Sequence, residues 1–197
     1  MRPRENPFST EKVSQLRYRL DCSHDELLQR LHELGSRVSI IGMHGNGKST
    51  LIEDVEQHML DRGLAVIRML VNQASPRVPR SFWTSSVKNS YVILDGVERL
   101  NPLHWMAFQL KCREAAGVII VEHFKGRWPV LYECQTGSAL FIELAYDLLN
   151  PELRAFAPPS YLEELFVANS GNLRDCFRVL YDRFADLELT EIAAHGC

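Results

Sequence analysis

The segment Gly42-Met43-His44-Gly45-Asn46-Gly47-Lys48-Ser49 sets glycines, a lysine and a hydroxyl at the spacing G-x-x-x-x-G-K-[ST]. Each part answers a physical need. Glycines let the backbone turn through positive φ and approach oxygen atoms closely. The turned amides, with the N-terminus of a following helix, aim partial positive charge at phosphates. Gly42, Gly45, Asn46 and Gly47 would form the cradle, Lys48 would place a full charge near the β and γ phosphates, Ser49 would offer its hydroxyl to Mg²⁺, and Thr50 would reach the α phosphate. Further along, Tyr91-Val92-Ile93-Leu94 ends in Asp95, an apolar run that would deliver a carboxylate to the same metal, directly or through water. Gly96 follows, and Glu98 is the next acid. Glu98 could polarise an attacking water if the chain bends at Gly96, or could be a solvated cap residue paired with Arg99. A second apolar run, Gly117 to Val121, ends in Glu122 and His123. His123 is a candidate γ-phosphate sensor or a structural histidine, and Glu122 a weaker candidate for activating water.

The elements that must hold these residues follow from periodicity. Ser23 with Glu26 makes a capping box for a helix carrying Leu27, Leu28, Leu31 and Leu34 and stopping at Gly35. Arg37 to Ile41 reads as a strand running into the glycine loop. Leu51, Ile52, Val55 and Met59 recur at helical spacing up to Gly63. Leu64 to Val71 predicts a second strand, residues 72–89 a loop with a short helix near Phe82 to Val87, and Tyr91 to Leu94 a strand buried on both faces. Asn101-Pro102 starts a helix whose buried face is expected on Leu103, Met106, Ala107 and Leu110. Gly117 to Val121 and Pro129 to Cys134 complete five strands, and Gly137 to Leu149 reads as a helix. After the proline-rich connection Asn150 to Pro159, Ser160 with Glu163 predicts a capped helix to about Ala168. Ser170-Gly171-Asn172 breaks it, and Leu173, Cys176, Phe177, Leu180, Tyr181 and Phe184 mark a longer one, expected to fray after Leu189. Strands alternating with helices make the chain α/β with a parallel sheet, followed by a small helical bundle.

Bulk properties bound the function. At 197 residues the chain suits one compact domain, with room for a small appended subdomain. A net charge of −3 argues against a chain-wide nucleic-acid footprint. The five cysteines are scattered with no CxxC pair, which fits reduced thiols in a cytosol, Cys197 being an exposed terminal thiol. The polar start is no secretory signal, and no apolar run is long enough to cross a membrane, so a cytoplasmic location is expected. Arg77, Arg80 and Lys88 alternate with Phe82 and Trp83, which suits either base stacking or a loop anchored by its aromatics.

The glycine loop, the apolar run ending in Asp95, and Gly171-Asn172-Leu173-Arg174 together resemble the Walker A, Walker B and sensor-two elements of P-loop ATPases of the AAA+ and STAND type, over roughly residues 36–186. The resemblance implies a three-layer core with a five-stranded parallel sheet in the order 5-1-4-3-2 and a small C-terminal helical lid. It implies an N-terminal segment and short helix over 1–35, the core over 36–149, and the lid and tail over 150–197. ATP and Mg²⁺ are the implied cofactors. Lys48, Glu98, His123 and Arg174 are the implied catalytic set, Gly42 to Thr50 the nucleotide cradle, and Ser49 with Asp95 the metal contacts. Arg178 is the reserve for Arg174. Asn6-Pro7-Phe8 resembles a segment that helps seat adenine in some members. Many hydrolysing members carry glutamate directly after the Asp95 position, where this chain has Gly96, so a slow or partner-activated Mg²⁺-dependent ATPase or molecular switch is expected. Its partner would be a protein or a nucleic acid, and a homo-oligomer is possible in such a family. Arg127 is the one arginine between the fourth and fifth strands, where typical members place a trans-acting finger. The alternative is a small-molecule kinase, since kinases often lack that glutamate. Val121-Glu122-His123 is also similar to the switch-histidine strand end of ABC-type ATPases, but no LSGGQ-like signature accompanies it.

Overall fold

The computed structural model describes residues 6–195, with side chains as far as Asp186. The thiol of Cys197 and the first five residues lie outside the described residues. The chain divides into two compact units: Tyr18–Met43 with Lys48–Cys134, and Met1–Arg17 with His44–Gly47 and Gln135–Cys197.

The first of these units is built on a five-stranded, all-parallel sheet. Its strands are β1 (Arg37–Ile41), β2 (Val66–Leu70), β3 (Tyr91–Asp95), β4 (Gly117–Glu122) and β5 (Val130–Glu133). Their order is β2-β3-β4-β1-β5, which is the expected 5-1-4-3-2 read from the other edge. Helices cover both faces of the sheet. On one side α2 (His24–Glu33) and α3 (Lys48–Asp61) bury Leu27, Leu31, Leu51, Ile52, Val55 and Met59 against Val38, Ile40, Ile93 and Ile119. On the other, α4 (Arg80–Thr84) and α5 (Pro102–Lys111) bury Phe82 and Phe108 against Val92, Leu94, Val118 and Ile120. Strands covered on both faces need apolar side chains at every position, and all six residues of β4 are buried. The capping box of α2 forms as expected: Glu26 N donates to Ser23 Oγ at 3.1 Å, and Ser23 N donates to Glu26 Oε2 at 2.7 Å.

Parallel register sets the site. Ile41 pairs with Glu122, and Asp95 pairs with Val121. The carboxyl ends of β1, β3 and β4 therefore finish level, and the residues that follow them share one edge of the sheet. In parallel α/β sheets that edge is where ligands bind.

The second unit is helical. It holds α1 (Thr10–Val13), α6 (Ser138–Leu148), a 3-10 segment Pro151–Phe156, α7 (Pro159–Ala168) and α8 (Leu173–His195). Phe8, Phe141, Leu162, Leu165, Phe177 and Phe184 form its core. Asn6 is 2% exposed; its Nδ2 donates to the Tyr181 carbonyl at 2.9 Å and its Oδ1 accepts from Phe8 N at 2.9 Å. Phe8 packs edge-on against Phe184, ring centres 5.2 Å apart.

Three expectations are corrected. The capping box at Ser160 does not form: α7 starts at Pro159 with Pro158 at the cap and no side-chain bond, because the fixed φ of proline preorganises the first helical position. The helix expected to fray after Leu189 continues to His195. The face of α5 is inverted. Leu103, Met106, Ala107 and Leu110 are exposed, and Trp105, Phe108 and the following Cys112 face the core.

Candidate functional site

The glycine loop leaves β1 at Gly42 and enters α3 at Lys48. The Lys48 ammonium folds back over the loop and donates to the carbonyls of Gly42 at 2.5 Å and Met43 at 2.8 Å. Ser49, in the first turn of α3, is exposed, and Thr50 is half-buried. The loop tip belongs to the helical unit. There Gly45 has φ +80°, and a Cβ on it would stand 1.9 Å from Asn172 Oδ1. Only glycine can occupy that turn. The Thr136 hydroxyl lies 3.2 Å from Asn46 Oδ1 and 3.1 Å from the Gly171 carbonyl, one donor shared by two acceptors. Asn172 also accepts from Arg174 N at 3.1 Å and donates to Asp175 Oδ2 at 2.5 Å, which caps the start of α8. Thr136 has no sequence signal, and Asn172 is marked there only as part of the break before α8 and of the sensor-two-like motif. Isolated polar residues in turns carry no periodic signal, and only the spatial closeness of the loop tip reveals them.

Asp95 ends β3 with its side chain partly buried. Burial holds its carboxyl above the usual carboxylate range. Glu98 adds to the shift, while Arg68, Lys48 and the Gly96 amide oppose it. The charge of the loop lysine is thus felt at Asp95. A raised pKa means the folded state binds its proton more tightly than the unfolded chain. Stability therefore falls as pH rises from the free-carboxylate value through the raised one, and at neutral pH the full cost is present. Asp95→Asn is accordingly expected to raise the melting temperature of the nucleotide-free protein at pH 7, and to raise it less at pH 4. The same variant should lose the Mg²⁺ dependence of nucleotide binding in calorimetry. A variant that melts lower than wild type at pH 7 would contradict the electrostatic reading.

Gly96 follows in the left-handed region, φ +82°, and a Cβ there would stand 2.0 Å from the Val71 carbonyl. No side chain, glutamate included, fits directly after Asp95. The chain instead turns through a 3-10 segment, Val97–Arg99, with Gly96 as its cap. One turn on, Glu98 Oε1 lies 3.2 Å from His123 Nδ1, beyond the end of β4. The chain bends at Gly96, and the Glu98 carboxylate meets His123. Both side chains keep some exposure, 35% for Glu98 and 21% for His123, so water can reach the pair. Glu122 points elsewhere: it is 5% exposed and accepts from the Arg127 amide, and Arg127 Nη1 lies 3.8 Å from its Oε1. Burial raises its carboxyl above the usual range, with Arg127 opposing.

These residues suit a magnesium–phosphate group. Among the described residues no three His, Cys, Asp or Glu side chains are grouped to cage a metal. Mg²⁺ bound with a nucleotide needs only one or two protein ligands besides water and substrate phosphates, and a hydroxyl and a carboxylate such as those of Ser49 and Asp95 are of that kind.

No family model matches the chain, and no curated protein matches it by sequence. Solved structures do match by fold. The chain superposes on Cdc6p from Pyrobaculum aerophilum with a TM-score of 0.62 at 13% identity, covering 92% of this chain and 66% of that one. The fold is that of a P-loop NTPase core, an α/β unit on a five-stranded parallel sheet. A STAND ATPase with a tetratricopeptide repeat sensor from Pyrococcus horikoshii also matches, at a TM-score of 0.42 and 12% identity over 89% of this chain and 34% of that one.

The remaining sequence candidates lie in different places. Arg174 is exposed in the first turn of α8, and Arg178 is exposed one turn later; both belong to the helical unit. Arg127 lies with its guanidinium 5.3 Å from the centre of the Trp105 ring, which also packs against Trp128 at 5.2 Å and Phe108 at 5.7 Å. Asn6 spends both ends of its amide inside the helical unit, and Phe8 is buried there, so the two anchor the N-terminal segment. Phe82 is buried and Trp83 half-buried between α4 and α5, so this loop is anchored by its aromatics and does not hold them out to stack bases. Among the described residues no helix is long and apolar enough to cross a membrane. Cys22, Cys112, Cys134 and Cys176 form no disulfide.

Proposed function

We propose that this chain binds ATP with Mg²⁺ and hydrolyses it slowly, acting as a partner-activated switch. The observation that carries the reading is the level ending of β1, β3 and β4, which sets the loop lysine, Asp95 and the Glu98–His123 pair along one sheet edge. In this reading the amides from Gly42 to Thr50 hold the phosphates, and Lys48 exchanges its loop carbonyls for β and γ oxygens. Ser49 and Asp95 hold the metal, which when bound would neutralise charge on the phosphates. Glu98 orients and deprotonates water, and His123 fixes the Glu98 carboxylate and can meet the γ phosphate. Arg174 is the candidate for an additional phosphate contact. The location is expected to be cytoplasmic, and assembly into a homo-oligomer is an open extension of the same reading.

Phosphate release by the purified chain with Mg-ATP tests it. A positioned general base contributes about 10²–10⁴-fold in efficient enzymes, and roughly 10–100-fold is expected in a slow one. Glu98→Gln should lower turnover by about that factor while ATP affinity holds. His123→Asn should lower it less, by roughly tenfold, because it acts through Glu98. Unchanged turnover in Glu98→Gln would remove the carboxylate from the mechanism. Phosphate transfer seen only with an added small acceptor would replace the ATPase with the kinase reading.

A further inference from the structure

The inverted face of α5 has chemistry of its own. Leu103, Met106 and Leu110 are 77%, 63% and 61% exposed. Their spacing puts them on one face of the helix, with Ala107 between them. The opposite face is already used, since Trp105 and Phe108 pack into the core. A helix that is apolar all round is ordinarily covered all round. Continuous exposed apolar stripes of this kind mark interaction surfaces.

The charges around the stripe say what would cover it. Arg99 precedes the helix and Arg113 follows it, both exposed. Lys111 is pinned beside it, its ammonium donating to the Trp83 carbonyl at 3.0 Å and the Ser85 carbonyl at 2.7 Å. Arg77, Arg80 and Lys88, on and around neighbouring α4, are also exposed. Exposed acids on the same stretch, residues 72–116, are Glu98, which is engaged by His123, and Glu114. This side is basic although the whole chain carries a net charge of −3. A stripe-on-stripe contact between two copies related by a twofold axis would bring the Arg99 and Arg113 rims together, and like charges would oppose it. A nucleic acid would find the basic rim but nothing to use in leucine and methionine, with the nearby aromatic rings turned inward.

We propose that the Leu103–Met106–Leu110 face of α5 is a docking surface for an acidic amphipathic helix of a partner protein. The partner's apolar ridge lies along the stripe, and its carboxylates meet Arg99 and Arg113 at the two ends. The surface is independent of the nucleotide reading and stands or falls separately from it.

The test uses the full chain and a fluorescent designed peptide with leucines at helical i, i+3, i+4, i+7 spacing and glutamates elsewhere, followed by anisotropy. The acidic peptide should bind saturably. Leu103→Glu and Leu110→Glu should each weaken it by about tenfold or more, and Arg99→Glu with Arg113→Glu should weaken it further as salt sensitivity falls. These positions are exposed, so the variants should keep the wild-type melting temperature, and Leu103→Ala serves as a milder variant if either does not. The proposal is overturned if the acidic peptide fails to bind, or if its lysine counterpart binds as well. It is equally overturned if single-stranded DNA displaces the peptide and binds more tightly. Concentration-dependent self-association that Leu110→Glu abolishes would assign the stripe to a second copy and overturn it too.

Discussion

Gly96→Glu, which writes the usual acidic pair after β3, is expected to give a less stable protein with no gain in ATP turnover. The substitution looks like a repair, because a glutamate directly after the metal-binding aspartate is what many hydrolysing P-loop ATPases carry. The backbone rules it out. Gly96 sits at φ +82°, and its missing Cβ would overlap the Val71 carbonyl at 2.0 Å. That carbonyl belongs to the chain just past β2, and Val71 N bonds to Asp95 O at 2.8 Å, so the clash cannot be relieved without loosening the β2–β3 edge. Forcing a side chain into the left-handed region costs about 1–3 kcal/mol, and the overlap adds to it. A total of about 3 kcal/mol corresponds to a fall in melting temperature of roughly 6–12 °C for a domain of this size. Gly96→Ala should show most of that loss, since the cost arises at Cβ. A Gly96→Glu protein that melts like wild type and hydrolyses faster would show that this turn can open and that Glu98 is not the placed carboxylate.

How much of this was readable beforehand depends on the kind of signal. β1, β3 and β4 announce themselves because strands covered on both faces must be apolar throughout, and the loop announces itself because its glycines stand at fixed spacing. Asp95 followed from those two. The Glu98–His123 contact did not, because it joins two stretches separated by all of α5. It becomes visible only when β3 and β4 are known to be neighbours in register, Asp95 opposite Val121. The face of α5 was misread for a different reason. Leu103, Met106 and Leu110 form one apolar face, and Trp105, Phe108 and Cys112 another, so periodicity alone offered two answers. The aromatic face carries more area than the aliphatic one and takes the core. Ser160 was misread because proline at the first helical position outweighs a hydroxyl one residue later. Thr136 carries no signal at all, and the closeness of Asn172 to Gly45 is not in its motif, since both roles come from distance in space and not from position in the chain.

Lys48→Ala is expected to lower ATP affinity by about 100-fold or more while the protein remains folded. The lysine makes two charge-assisted hydrogen bonds within the loop, to the carbonyls of Gly42 and Met43. Those partners are neutral and can turn to water when the ammonium is gone, so the structural cost is modest. A triphosphate concentrates several negative charges at the same place, and the loss of one charge-assisted contact there is worth about 1.5–3 kcal/mol, or roughly 10–150-fold in affinity. The converging amides of the loop push the effect toward the upper end. Lys48 also lowers the cost of keeping Asp95 ionised, so part of any destabilisation should vanish in the Asp95→Asn background. Calorimetric titration with Mg-ATP and thermal melting of the two single variants and the double variant separate these effects. Loss of binding with a preserved melt assigns the lysine to phosphate. Non-additive melting temperatures assign the remainder to its coupling with Asp95. If ATP binds Lys48→Ala within about threefold of wild type, the energy of recognition lies outside the loop, and the nucleotide reading of this P-loop fold loses its foundation.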